Sequence, residues 1–472
     1  MAAKPPHHTP HPSVLLGVLI NPMKFRNRYL PWLLIVVMIL TAAFIYLRLA
    51  NRVQPLRFFP EPGEGISIHG QIGVTFDQAM DPASVEAHFS IEPHIEGEFS
   101  WDWNTLWLIP GEKLDPGQTY QVSIAPGARA ENGRKLRTPI EWQVTVREVD
   151  LLYLVLGTQG GDLWRYDFAT GQTYSIIDTD QAVIDFKPSP TGDRIAYAQY
   201  NPQGGSDLYS VERDGTNPEI LLDCDKDQCS QPAWSVDARW IVFTRETWDD
   251  RSDRYLPSQV WTVNIQNGAS APLYRQEQAY GHSPSFSPDG KRLATYDSIQ
   301  NAIRILELET SQESAIPTLY PGVGSWSPDG QELIFIDLVP SVLEPNVAMY
   351  IINFSDQAVR NALGEFVPNL DFDPPQWSPD GEWIAYGIRP VGAAINKSLW
   401  IAELDGAISI PITDDPAATF SNYRWDPWGE RLVFQRFQLS GGSANASLWL
   451  WERSTGQIRR LVENGARPEW LP

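Results

Sequence analysis

A chain of 472 residues, 42% hydrophobic and 20% charged, is long enough to bury more than one core. Its net charge of −22 is unevenly placed: residues 1–57 hold seven basic and no acidic side chains, leaving −29 for the remainder. A body so acidic repels phosphate backbones, which excludes a nucleic-acid partner outside the short basic tail.

Residues 1–28 carry Lys4, Lys24, Arg26 and Arg28, and the tract His7-His8-Thr9-Pro10-His11-Pro12 is too rich in proline for a helix, so this tail is expected to be disordered. Residues 29–47 are uncharged and almost wholly apolar. At about 1.5 Å per residue such a run covers roughly 30 Å, which predicts a transmembrane helix within 29–50. A cleavable signal peptide is the competing reading, but its apolar region is usually about 7–15 residues, and Thr41-Ala42-Ala43 lies inside the run, not after it. No cysteine stands near the span, so a lipoprotein anchor is not available.

Residues 55–148 show short alternating strands separated by Pro-Gly turns, the pattern of a β-sandwich. Trp101 and Trp103, two apart, are expected on one strand face in the sandwich core, with an exposed sugar platform as the alternative.

From residue 151 to 472 a unit recurs every 40 to 52 residues or so, the range of a four-stranded propeller blade. Its signature is Pro375-Gln376-Trp377-Ser378-Pro379-Asp380-Gly381, followed by Trp383-Ile384-Ala385-Tyr386. Proline presets one turn dihedral and glycine supplies the positive one, so each unit is a strand, a tight turn and a continuously apolar second strand covered on both faces. A third strand recurs seven times, from Asp162-Leu163-Trp164 to Ser447-Leu448-Trp449. The ends are complementary: Arg467-Pro468-Glu469-Trp470-Leu471 is a first strand without a second, and residues 151–156 are a second strand without a first. Pairing them closes the ring and removes exposed edges.

The fold class expected is therefore all-β: a seven-bladed β-propeller and a β-sandwich, which the resemblance given below makes immunoglobulin-like, with one N-terminal transmembrane helix. Trp234, Phe286, Trp326, Trp377, Trp425 and Trp470 occupy one repeat position and read as packing between blades. Cys224 and Cys229, the only cysteines, are a candidate disulfide closing one small loop. Asp223, Asp225 and Asp227 have the spacing of a calcium loop, but Gln228 stands where glycine is needed and no glutamate follows at position twelve, which favours a solvated acidic loop. A Ser/His site in the repeats would have to use His282 beside Ser283, and a loop histidine is the plainer reading. No catalytic, metal or cofactor-binding residue is assigned. Loops 246–257 and 338–347 are long enough to shape a binding surface.

The Trp-Ser-Pro-Asp-Gly units with Ile-Ala-Tyr resemble TolB-type, WD-like propeller repeats of bacteria, across about two thirds of the chain, although TolB has six blades. Phe76-Asp77-Gln78-Ala79-Met80-Asp81-Pro82 and Leu114-Asp115-Pro116-Gly117-Gln118-Thr119-Tyr120 resemble the SbsA-type bacterial immunoglobulin-like domain over the whole of 55–148; Ala130-Glu131-Asn132-Gly133-Arg134 departs from that pattern. The resemblances imply a stalk between a bacterial cytoplasmic membrane and an extracytoplasmic propeller. The function expected is a binding or scaffold platform, not an enzyme, for an envelope protein; a surface glycan-binding protein or hydrolase is the alternative.

Overall fold

The computed structural model describes residues 30–50 and 53–472, apart from 275–279, 340–345, 365–366, 393–395, 405 and 440–445. The tail 1–28 lies outside the described residues, as does most of the loop 338–347. Leu30–Ala50 is an α-helix whose side chains are described over residues 32–42, all of them exposed. Among the described residues no helix is long and apolar enough to cross a membrane.

Next come two four-stranded sheets packed face to face. One orders Pro55–Phe59, Ile72–Phe76, Thr105–Pro110 and Gly97–Asp102; the other orders Gly65–Ile66, Ile140–Val146, Thr119–Ile124 and Phe89–Glu92. Period-two alternation decides which face is buried. In Ile140–Val146 every second residue is buried, and these meet Val74, Phe76, Leu106 and Leu108 of the other sheet. The short helix Pro82–Glu86 is capped by Asp81, whose carboxylate accepts from the Ser84 amide, with proline at its start.

From residue 150 on, the described strands fall into successive antiparallel units of four strands, with five in the sixth, and a separate two-stranded hairpin, Trp248–Asp249 with Arg254–Tyr255. Unit 1 is Ala466–Leu471, Asp150–Leu156, Gly161–Tyr166 and Thr173–Ile177, so the last strand of the chain pairs with the first of the repeat region, Trp470 opposite Leu151. Units 2 to 7 begin with Val183–Pro188, Gln228–Trp234, His282–Phe286, Ser325–Trp326, Gln376–Trp377 and Ala418–Trp425, each followed by its apolar second strand. In units 2 to 7 that second strand carries an unbroken buried run, as in Arg194–Tyr200 and Trp383–Pro390. The first strands of neighbouring units contact one another, including unit 7 with unit 1 and unit 1 with unit 2, a propeller-like ring around an axial cavity.

Each Ser-Pro-Asp-Gly turn is held by its own side chains. Ser287 Oγ donates to Asp289 at 2.6 Å and accepts the Arg292 amide, while Asp289 accepts the Lys291 amide; Ser327 and Ser378 repeat this. The aspartate is thereby committed to the turn. Gly290, Gly330 and Gly381 take the left-handed conformation there, and in unit 3 Ala238 takes it instead, at φ +54°.

One arginine ties the molecule together. Arg213, at the turn between the third and fourth strands of unit 2, pairs with Asp150 at 2.9 Å and donates to the carbonyls of Glu148 and Pro472. It thus joins the linker, the first strand of the repeat region and the C-terminus. Gly192 admits this approach: a Cβ there would lie 2.1 Å from the Pro472 oxygen.

Candidate functional site

The ring is zipped from inside by its aromatic row. Trp234 Nε1 donates to Lys187 O, Trp326 to Ser285 O, Trp425 to Gln376 O and Trp470 to Arg424 O. In each case the acceptor is the residue just before the aromatic position in the preceding unit, and Trp470 closes unit 1 onto unit 7 by the same bond. These tryptophans are core residues whose N–H groups find partners, as burial requires. Phe286 has no such donor, and Trp377 Nε1 turns instead to Gly381 O of its own turn, at 3.3 Å. An apolar crevice of about 470 Å³ opens between units 3 and 4, where Phe286 sits.

The residue before the aromatic varies from unit to unit: Lys187, Ala233, Ser285, Ser325, Gln376, Arg424 and Glu469. Backbone irregularity in the first strands helps aim the neighbouring side chains inward, with positive φ at Gln231, Ser283, Asn422 and Arg467 beside register shifts. Asp185, Lys187, Gln231, Ser283 and Glu469 line an axial cavity of about 500 Å³.

Charge in this cavity is balanced by contact. Glu469 accepts from Lys187 Nζ at 2.9 Å and from Arg424 Nε at 2.8 Å. Burial alone would raise its carboxyl, but the two cations hold it down to about 2. Burial pushes the Asp185 carboxyl above its ordinary range, against Arg467 at 3.7 Å. Gln231 accepts from Thr244 Oγ1 and the Ser283 amide, and Gln435 accepts from Asn422 and the Arg467 amide.

The two faces of the ring differ. In an antiparallel meander, the connection after the first strand and that after the third lie at one end, and the remaining connections at the other. Among the described residues the sandwich touches the first of these faces: Lys113 Nζ donates to Pro427 O at 2.5 Å, Arg147 pairs with Asp193 at 2.6 Å, and Arg213 reaches Glu148 O. The opposite, loop face carries a hairpin, Trp248–Asp249 with Arg254–Tyr255, within the predicted loop 246–257. Tyr255 OH donates to Gly204 O, and Lys226 pairs with Asp250 at 2.6 Å. Further ion pairs recur around this face: Arg245 with Asp227, Arg389 with Asp371, Lys397 with Asp373 and Arg436 with Asp415.

The residues singled out in the sequence disperse. Cys224 and Cys229 are bonded to each other and buried. Asp227 turns to Arg245 and the Trp248 amide while Asp223 accepts the Asp225 amide, so the three aspartates do not converge. His282 Nδ1 lies 2.9 Å from Ser283 Oγ; burial lowers the imidazole pKa, and among the described residues no carboxylate bonds the other ring nitrogen. Trp101 is half-buried, its Nε1 donating to Glu86, whereas Trp103 is 93% exposed at a hairpin tip. The expectation of a shared core face for the two tryptophans is thus corrected: the strand ends at Asp102, and the two-residue loop reverses direction before alternation can bury Trp103. Lys187, Arg424 and Glu469 were not anticipated; stacking the repeats on their aromatic residue would have shown three charges in one otherwise neutral column.

Residues 56–146 match the bacterial Ig-like domain family. An uncharacterized protein, Atu1656, of Agrobacterium fabrum is 23% identical over 269 residues, covering 54% of this chain and 88% of that protein. Among solved structures, TolB from Acinetobacter baumannii is 20% identical, with a TM-score of 0.39 over 68% of this chain and 82% of that one. The β-propeller domain of the trilobed protease from Pyrococcus furiosus is 15% identical, with a TM-score of 0.46 over 60% of this chain and 85% of that one. No residue role is carried across from them.

Proposed function

We propose that this chain is a single-pass protein of the bacterial cytoplasmic membrane. In this reading the helix within 29–50 anchors it, the immunoglobulin-like domain is a stalk, and a seven-bladed, TolB-like propeller with WD-like repeats outside the cytoplasm binds an envelope protein. The observation that carries the binding role is the charge arrangement of the axial cavity and loop face. Glu469 is held ionised between two cations, and on the loop face Asp227, Asp371, Asp373 and Asp415 each face an arginine or lysine. Charges fixed in this way form a preorganised pattern for a partner of complementary charge. Among the described residues the sandwich makes its contacts on the opposite, turn face.

The test is co-purification of the full-length protein from its native membrane, with charge reversal at Asp250 and Asp253 on the loop-face hairpin and at Lys291 on the turn face as control. Loss of a stoichiometric protein partner with the first variant alone supports the reading; equal recovery with both variants counts against it. A second reading, a glycan-binding protein or hydrolase, draws on Asp185, whose raised carboxyl shares the cavity with Glu469. Turnover of envelope glycan that disappears in Asp185→Asn would favour it.

A further inference from the structure

The pole of the sandwich opposite the propeller gathers features that the binding role does not use. Trp103 is 93% exposed and Leu56 is 69% exposed. Trp103 opens a two-residue hairpin loop with φ +52°, a position that glycine or asparagine would occupy with less strain. A large apolar ring is therefore kept in water at a place where turn chemistry disfavours it.

Strand register puts these residues beside the helix. The Phe76 amide donates to Asn104 O, next to Trp103, and the Asp77 amide donates to Gln54 O. Gln54 lies four residues beyond the helix end at Ala50, so the pole is within about 14 Å of that end along the chain. The loop 129–137 reaches the same pole, because Asn132 donates to Gln78 and Ala130 bridges to Met80. It carries Arg129, Arg134, Lys135 and Arg137, all exposed, against the single acid Glu131. Among the described residues none of these four cations is in an ion pair, although the chain beyond residue 57 carries −29.

We infer that this pole is a lipid-docking surface, with Trp103 and Leu56 entering the headgroup boundary of an anionic bilayer and the 129–137 loop meeting its phosphates. Tryptophan suits that boundary because its body is apolar and its N–H is polar, and basic side chains are attracted to anionic leaflets. Asp102 and Asp77 are at the same pole and keep the insertion shallow. The inference rests on the reading of the helix as a membrane anchor. It adds that the stalk is seated on the membrane and does not swing freely on its linker.

The test uses the full chain reconstituted in phosphatidylcholine vesicles, with or without phosphatidylglycerol, containing lipids brominated on the acyl chain near the headgroup. Tryptophan quenching is compared in the wild type, Trp103→Gly and Trp32→Phe; glycine suits the Trp103 backbone, so that variant folds. The expected result is a quenched component lost in Trp103→Gly. That component should grow with phosphatidylglycerol and shrink in an Arg134→Gln, Lys135→Gln, Arg137→Gln variant. Equal quenching in wild type and Trp103→Gly, with a component still lost in Trp32→Phe, overturns the docking and leaves the anchor standing. No component from Trp32 removes the anchor, and the inference falls with it.

Discussion

Replacing Glu469 by glutamine removes the negative charge at the centre of the ring and leaves Arg424 and Lys187 without their shared partner. The Glu469 side chain is 16% exposed, and its carboxyl is held at about 2 against an ordinary 4.5. A depression of that size corresponds to about 3 kcal/mol of stability at neutral pH. Lys187 is 43% exposed and Arg424 33%, so both cations regain some hydration in the variant, which brings the expected loss to about 2–3 kcal/mol. The sign follows from linkage: a carboxyl depressed in the folded state stabilises above its unfolded value and loses that contribution as pH falls toward 2. Urea unfolding of both proteins from pH 7 down to pH 2 measures it. The two stabilities should differ by this amount at pH 7 and converge in acid; equal midpoints at pH 7, or a gap that persists in acid, would refute the reasoning.

Three further perturbations probe the ring. In Gly192→Ala the new methyl meets the Pro472 oxygen as well as the positive φ, whereas Gly456→Ala, at the same φ +66° in open space, meets only the backbone penalty. Thermal melts should show Gly456→Ala costing about 1 kcal/mol and Gly192→Ala at least about 1 kcal/mol more. Ala238→Gly gives unit 3 the residue its sister turns use and should raise the urea midpoint by roughly 0.5 kcal/mol of stability. Cys224→Ala with Cys229→Ala opens a small loop and should cost about 2 kcal/mol, read from urea unfolding beside the native protein.

What could be read from the sequence, and what could not, divides along the length of the interactions. Ser287-Pro288-Asp289-Gly290 and the apolar run after it are local, because the serine and aspartate bond within five residues, so the repeat was visible directly. The pairing of residues 151–156 with the last strand followed from each lacking a neighbour. The charged triad was hidden because Lys187, Arg424 and Glu469 come from units 2, 7 and 1 and meet only through closure of the ring. Trp103 misled the alternation rule because a strand's period stops where its turn begins. The Asp223, Asp225 and Asp227 spacing suggested a shared ligand, yet Asp227 is drawn off by Arg245, eighteen residues away.

The central claim is that the loop face is the binding face. Photo-crosslinking in the native membrane, with the reactive residue placed in turn at Asp250, Asp253 and Gln203 on the loop face and at Lys291 and Gln331 on the turn face, tests it most directly. The account predicts one discrete protein adduct shared by the loop-face positions, absent from the turn-face positions and weakened when Asp250 is reversed in charge. Adducts from the turn face alone, or none from any loop-face position, would contradict it.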